Sequence, residues 1–113
     1  MTSKEFVELF YHEKTDYFKS CFDENAGTLI SQKIKELNLS AEQKEALKEI
    51  VDGVLTDTYY TILLGGDGSA NIGGRQISYK IYDEEENLLT GFGEIGAEAW
   101  KFFQNDENDF LSY

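Results

Sequence analysis

The sequence predicts an α+β fold with three N-terminal helices, a three-stranded antiparallel meander and a short C-terminal helix. Apolar residues recur at helical spacing through the first 64 residues. The pattern then changes, because seven of the ten glycines lie between Gly65 and Gly93 and apolar residues alternate with polar ones from Ile77 to Ile81. Helical spacing indicates amphipathic helices, and a two-residue alternation indicates a half-buried strand. The 113 residues are expected to form a single domain.

The first predicted helix runs from Thr2 to Phe22. Thr2 and Glu5 have the spacing of a capping box, in which each residue bonds the other's backbone N–H. Four large or apolar side chains then form a stripe at spacings of four and seven, namely Phe6, Phe10, Tyr17 and Cys21. A stripe of this kind predicts one buried helix face.

A polar break between Asp23 and Gly27 separates this helix from a second one that ends near Leu37. Its apolar side chains are expected to face inward. Asn38 suits the left-handed conformation that closes many helices.

The longest predicted helix spans Ser40 to Leu64, with Ser40 and Gln43 spaced as another capping box. Its second half is apolar on most sides, which predicts that it runs through the middle of the domain. Gly65 and Gly66 are expected to end it. A strand from Thr56 to Leu64 is the alternative, because Thr, Tyr and Ile favour pleated structure.

The meander is predicted from the next thirty residues. Its strands are Ser69–Ile72, Arg75–Tyr82 and Leu88–Glu94, joined by a Gly73-Gly74 hairpin turn and by a polar turn at Asp83–Asn87. Three strands are about the minimum for a sheet that packs on helices.

A short closing helix is predicted from Gly96 to Gln104. Residues 105–113 then form an acidic tail that can be flexible and that carries three apolar side chains, Phe110, Leu111 and Tyr113.

The formal charge of −12 is the most unusual feature of the composition. It falls unevenly, with −5 on residues 1–64 and −7 on residues 65–113. Such a field repels nucleic acid and anionic membranes and favours a basic protein partner. Solubility alone is the competing explanation. A single cysteine, Cys21, together with the lack of a signal peptide or an apolar run of about 20 residues, predicts a cytoplasmic protein.

The glycine-rich stretch from Gly65 to Gly74 offers a weak ligand site. Asp67, Ser69 and Asn71 supply oxygen atoms at alternate positions, as a calcium loop does. A calcium loop, however, needs Gly where Ile72 stands. The stretch also has no Lys, which a phosphate-binding loop requires. A junction between helix and hairpin is the favoured interpretation, and no metal or cofactor is predicted.

Catalysis is not expected. His12 and Cys21 lie on different faces of the first helix, and no serine has the flanking pattern of a nucleophile elbow. Asp52 and Asp57, on the long helix beside tyrosines, are the acids whose pKa values we expect to be perturbed. The protein is therefore predicted not to be an enzyme.

Acidic residues cluster in a predicted turn and in the tail, with aromatic side chains among the tail acids. At interfaces, such charges speed association, and such aromatic groups contribute most of the affinity. The expected partner-binding residues are Asp83, Glu84, Glu85, Glu86, Asp106, Glu107, Asp109, Phe110 and Tyr113.

Three segments together resemble small uncharacterised acidic bacterial proteins: LTDTYYTILLGGDG from Leu55 to Gly68, IGG from Ile72, and YKIYD from Tyr79. This resemblance implies no activity. In size and charge the chain is also similar to bacterial immunity proteins, which block toxins.

The predicted function is that of a non-enzymatic protein, a monomer or weak oligomer, that covers a basic surface of another protein. A toxin nuclease is the expected target, because an enzyme that grips phosphates carries a cationic cleft. Two alternatives remain open, a phage-type inhibitor of a nucleic-acid-handling enzyme and a small-ligand or metal-binding module at Gly65–Gly74.

Overall fold

A computed structural model describes residues 1–105, and within them the fold is all-α. The described part is 61% helical and contains four helices with no strand. They are α1 (Ser3–Phe22), α2 (Leu29–Glu36), α3 (Ala41–Gly66) and α4 (Glu94–Phe103). An irregular segment, residues 67–93, connects α3 to α4.

The two capping boxes form as predicted. Thr2 accepts a hydrogen bond from the Glu5 N–H at 3.1 Å, and the Glu5 carboxylate accepts one from the Thr2 N–H. Ser40 and Gln43 exchange the same pair of bonds at the start of α3. Each box satisfies backbone donors that the first helical turn leaves without partners. Residues 56–64 lie within α3, so the strand alternative for that stretch is wrong.

The core forms where α4 packs against both long helices. α1 contacts α2, α3 and α4, and α3 also contacts α4. The buried apolar side chains of this core are Val7, Leu63, Leu89, Ile95, Ala99 and Phe103.

Aromatic rings surround this core. Phe103 stacks on Tyr59 at 6.4 Å between ring centroids and meets Tyr11 edge-on at 5.8 Å. α4 therefore joins α1 to α3 through aromatic contacts, which add specific geometry to the area buried.

An ion pair is buried between the two long helices. Lys14 is fully buried, and its Nζ lies 2.6 Å from Oδ1 of Asp52, whose side chain is 15% exposed. Burial lowers the pKa of Lys14, while the hydrogen bond and charge of Asp52 oppose that shift. Burial raises the pKa of Tyr11, and the charge of Asp52 adds to that effect.

The predicted α+β class is wrong for the described residues. Between α3 and α4 the chain makes only two isolated bridges, Ile72 with Arg75 and Tyr82 with Leu88. The predicted turns at Gly73-Gly74 and at residues 83–87 are present, but the strands that they were meant to join are not.

Local geometry explains why the bridges do not extend into a sheet. The Thr90 hydroxyl accepts the Ile81 N–H and donates to the Tyr79 carbonyl, which occupies groups that a neighbouring strand would use. Gly91 and Gly93 have φ values of +97° and +73°, which no strand residue adopts. The predicted third strand therefore does not form, and α4 begins at Glu94 rather than at Gly96.

Two further packing predictions are wrong. α2 leaves most of its apolar side chains in solvent, with Leu29 73% and Ile30 44% exposed. The second half of α3 is not covered on most sides, because Val54 and Ile62 are 58% and 47% exposed. Helical periodicity correctly identified these helices but did not determine which faces the rest of the chain would cover.

Candidate protein-binding surface

An apolar groove runs between the two long helices and the irregular segment. The buried core residues Leu63 and Ile95 form its floor, and its cavity volume is about 330 Å³. The groove is defined by Phe6, Phe10, Ile62, Leu63, Gly66, Ile72, Tyr79, Lys80, Ile81 and Ile95.

The end of α3 brings the irregular segment onto the groove. Gly68, at φ +79°, donates to the Gly65 carbonyl, and the Ser69 N–H donates to the Leu64 carbonyl. These two bonds form a Schellman motif that closes α3 after Gly66, so the helix ends at the predicted glycine pair. The chain reverses at this point and places Ile72 over the last turn of α3.

Gly65 allows this close approach. A Cβ atom built on Gly65 would lie 2.1 Å from Cγ1 of Ile72, far inside van der Waals contact. The absence of a side chain at position 65 therefore lets Ile72 form one wall of the groove.

Residues 83–86 form an acidic tip at the end of the neighbouring hairpin. Asp83 Oδ1 accepts the Glu85 and Asn87 N–H groups, each at 2.9 Å. Its Oδ2 accepts from the Asn87 side-chain amide at 3.0 Å and from the Met1 ammonium at 2.9 Å. The charge and donors of these groups hold the pKa of Asp83 well below its usual range. Asp83 thus organises the tip.

The other three acids of the tip face solvent. Glu84, Glu85 and Glu86 are exposed, and Glu86 adopts a left-handed φ of +66°. These carboxylates remain the predicted partner-binding groups of the tip.

A second, shallower pocket connects the tip to the groove. Phe6 lines both cavities, and Glu84 and Glu85 line this second one beside Leu9 and Tyr82. The volume of the second pocket is about 370 Å³. Apolar and acidic surfaces are therefore continuous, with Phe6 at their boundary.

The glycine-loop residues occupy different surroundings. Asp67 Oδ2 accepts the Gly96 N–H at 3.2 Å, in the first turn of α4, and the Ser69 hydroxyl lies beside the same glycine. Gly93 provides no side-chain cap for α4, so Asp67 supplies one from across the loop. Asn71 is exposed. Among residues 1–105, no group of three His, Cys, Asp or Glu side chains is placed to hold a metal ion.

The predicted tail residues Asp106, Glu107, Asp109, Phe110 and Tyr113 lie outside the described residues. Cys21 is buried, and burial raises the pKa of its thiol, which disfavours the reactive thiolate.

The groove itself was missed by the sequence analysis. Its signal was present, because the alternating Ile77, Tyr79 and Ile81 side chains need an apolar surface to lie against. By itself, that alternation predicts a strand in a sheet. In the structure, Tyr79 and Ile81 lie against helices instead.

Comparisons with protein-family models, curated proteins and solved structures give no match to this chain. Within the described residues, no helix has the length and apolarity needed to cross a membrane. The surface is therefore interpreted from its own geometry and charge.

Proposed function

We propose that this protein binds a basic surface of another protein through the acidic tip and the adjoining apolar groove, without catalysing a reaction. The observation that carries the proposal is the continuity at Phe6 between exposed carboxylates and an apolar groove. Acidic groups accelerate encounter with a basic partner, and apolar side chains then slow its dissociation.

Charge supports a basic partner over other classes. The net charge of −12 opposes nucleic acid, anionic membrane and a second copy of this chain alike. The exposed acids 84–86 lie within the turn that Asp83 organises, so the charge is concentrated on an ordered structural feature.

The target that best fits this chemistry is a nuclease. Its cleft is lined with cations that hold phosphates, and a row of carboxylates can occupy the same positions. Blocking a toxin nuclease, as an immunity protein does, is the function we propose for this binding.

The test is capture from the native host with immobilised protein, compared with the variant Glu84→Gln/Glu85→Gln/Glu86→Gln. We expect the wild-type protein to retain a basic protein whose nuclease activity falls when the two are mixed. Because the Debye length shrinks from about 30 Å at 0.01 M salt to about 8 Å at 0.15 M, the association rate should fall steeply with salt.

The matched control changes three acids elsewhere, Glu36→Gln/Glu42→Gln/Glu45→Gln, with the same loss of charge. These residues are exposed and lie near the loop between α2 and α3. If both triple variants bind equally fast at low salt, the tip has no specific role. If the captured protein is acidic, the proposed function is wrong.

A further inference from the structure

The apolar surface beside the tip is larger than the groove alone. Ile50, Val54 and Ile62 lie on one i, i+4 row of α3 and are 61%, 58% and 47% exposed. At 1.5 Å of rise per residue, this row extends for about 18 Å before it reaches the groove. This length is greater than that of a small molecule and equals that of a helical segment of about twelve residues.

The charges around this surface select the chemistry of the occupant. Glu84 and Glu85 lie at the tip end of the surface, where they line the second pocket together with Phe6. Among the described groove residues, Lys80 carries the one charge, and its aliphatic stem can add apolar contact while the ammonium stays in water. An apolar channel with acids beside it is complementary to a segment that is apolar on one face and basic on the other.

We infer that the groove and the adjoining α3 row hold a basic amphipathic helix of the partner protein. This inference rests on the proposed function and adds the form in which the partner binds. Apolar anchors at i, i+3, i+4 and i+7 would enter the groove between Phe6, Ile62 and Tyr79, as helices enter grooves in other complexes. The basic face would then lie toward Glu84 and Glu85.

The probe is a fluorescent 18-residue peptide of Leu and Lys at helical spacing, titrated into the full chain and followed by anisotropy. A peptide of the same composition with strictly alternating Leu and Lys is the strand-forming control. A third peptide keeps the helical spacing but replaces Lys with Glu. We expect the helical Leu/Lys peptide to bind more tightly than both.

The groove is tested with Ile62→Gln and its matched control Leu29→Gln. Both change an exposed aliphatic side chain on a helix to the same polar residue. Since an interface anchor contributes more than about 1.4 kcal/mol, Ile62→Gln should weaken peptide binding at least about tenfold, whereas Leu29→Gln should leave it unchanged. Equal thermal stability of the two variants confirms that binding, and not folding, has changed.

The outcomes separate this inference from the proposed function. If peptide binding depends on salt and on Glu84–Glu86 but not on Ile62, the groove inference is wrong, and the proposed binding of a basic partner by the acidic tip stands without the groove. If the Leu/Glu peptide binds as tightly as the Leu/Lys peptide, the preference for a basic partner is wrong. Tighter binding of the alternating peptide, or no binding at about 1 mM peptide, overturns the helical occupant.

Two competing occupants have their own signatures. A second copy would give a dimer by light scattering that Ile62→Gln converts to a monomer. The chain's own C-terminal segment would compete with the peptide, so Phe110→Ala/Tyr113→Ala would tighten peptide binding. Either result overturns the inference.

Discussion

Two sides of α1 differ in what covers them. Val7 and Phe18 are fully or almost fully buried against the other helices, whereas Leu9, two residues from Val7, is 55% exposed. Phe6 and Phe10 lie between these extremes and line the groove. One helix thus has a face that the chain itself covers and a face that it leaves open.

The difference arises from the elements opposite each side. α3 and α4 are regular helices, and their side chains interdigitate with the covered face. The open face borders the irregular segment 67–93, whose residues 71–80 are all exposed and do not fill the space. A stripe of apolar side chains therefore shows where contact is favourable but does not show that this chain supplies the contact.

The largest effect is expected where the covered face meets α4. Phe103→Ala removes a buried ring that contacts Tyr11 and Tyr59 and should lower the free energy of unfolding by about 3–5 kcal/mol. Phe92→Ala removes a ring that is 65% exposed, so it should change the free energy of unfolding by no more than about 0.5 kcal/mol. Urea unfolding measures both. Equal losses would contradict the division into covered and open faces.

The ion pair of the covered face should respond unequally to loss of its two partners. Asp52→Ala removes the carboxylate that pairs with the fully buried Lys14 ammonium. Breaking a buried ion pair in this way lowers the free energy of unfolding by about 3–5 kcal/mol, and the partial exposure of Asp52 should make the loss smaller here. Lys14→Met should cost less, because its apolar chain fills a similar volume and Asp52 can reach water. Thermal unfolding of the two variants at neutral pH makes the comparison. A larger loss for Lys14→Met would show that the ammonium itself is favourable where it lies.

Two Gly→Ala substitutions in α3 test whether the close contact between Gly65 and Ile72 holds the wall of the groove in place. Ala favours helix over Gly by about 1 kcal/mol, so Gly53→Ala, with open space around it, should stabilise the protein. At Gly65 the added methyl group meets Ile72, and overpacking of this kind costs about 1–3 kcal/mol, which reverses or cancels the gain. Chemical denaturation gives both values. A stabilising Gly65→Ala would mean that Ile72 moves away freely.

The smallest expected change in stability is at the acidic tip, and its size depends on pH. The folded state lowers the pKa of Asp83 from 3.8, so the carboxylate contributes stability above that value and loses it as the pH falls through the folded pKa. Asp83→Asn should therefore be less stable than wild type between about pH 5 and 7, and the difference should narrow below pH 3.8. Thermal unfolding across this range measures the difference. A constant difference would assign the effect to lost hydrogen bonds alone.

Local signals in the sequence predicted the helices well. The Thr2–Glu5 and Ser40–Gln43 boxes form because each depends on residues three positions apart. Asn38 takes its predicted left-handed conformation, with φ +49°, because the preference of Asn for this conformation is also local.

The predictions that were wrong concerned contacts between distant parts of the chain. Alternation at Ile77, Tyr79 and Ile81 indicates one apolar side, but a strand also needs a backbone partner, and the Thr90 hydroxyl takes that place. The groove joins Phe6 to Ile62 and Tyr79, residues that no local pattern connects. For the tip, the sequence predicted exposed acids but gave no sign that Asp83 would bind the surrounding N–H groups.

The most direct measurement of the binding surface is an NMR titration of ¹⁵N-labelled full-length protein with the helical Leu/Lys peptide. We expect the amide signals of Phe6, Phe10, Ile62, Tyr79 and the tip residues 84–86 to shift or broaden, and those of the covered face, such as Val7 and Phe18, to change less. Shifts centred on α2, or spread evenly over acidic residues throughout the chain, would contradict the account.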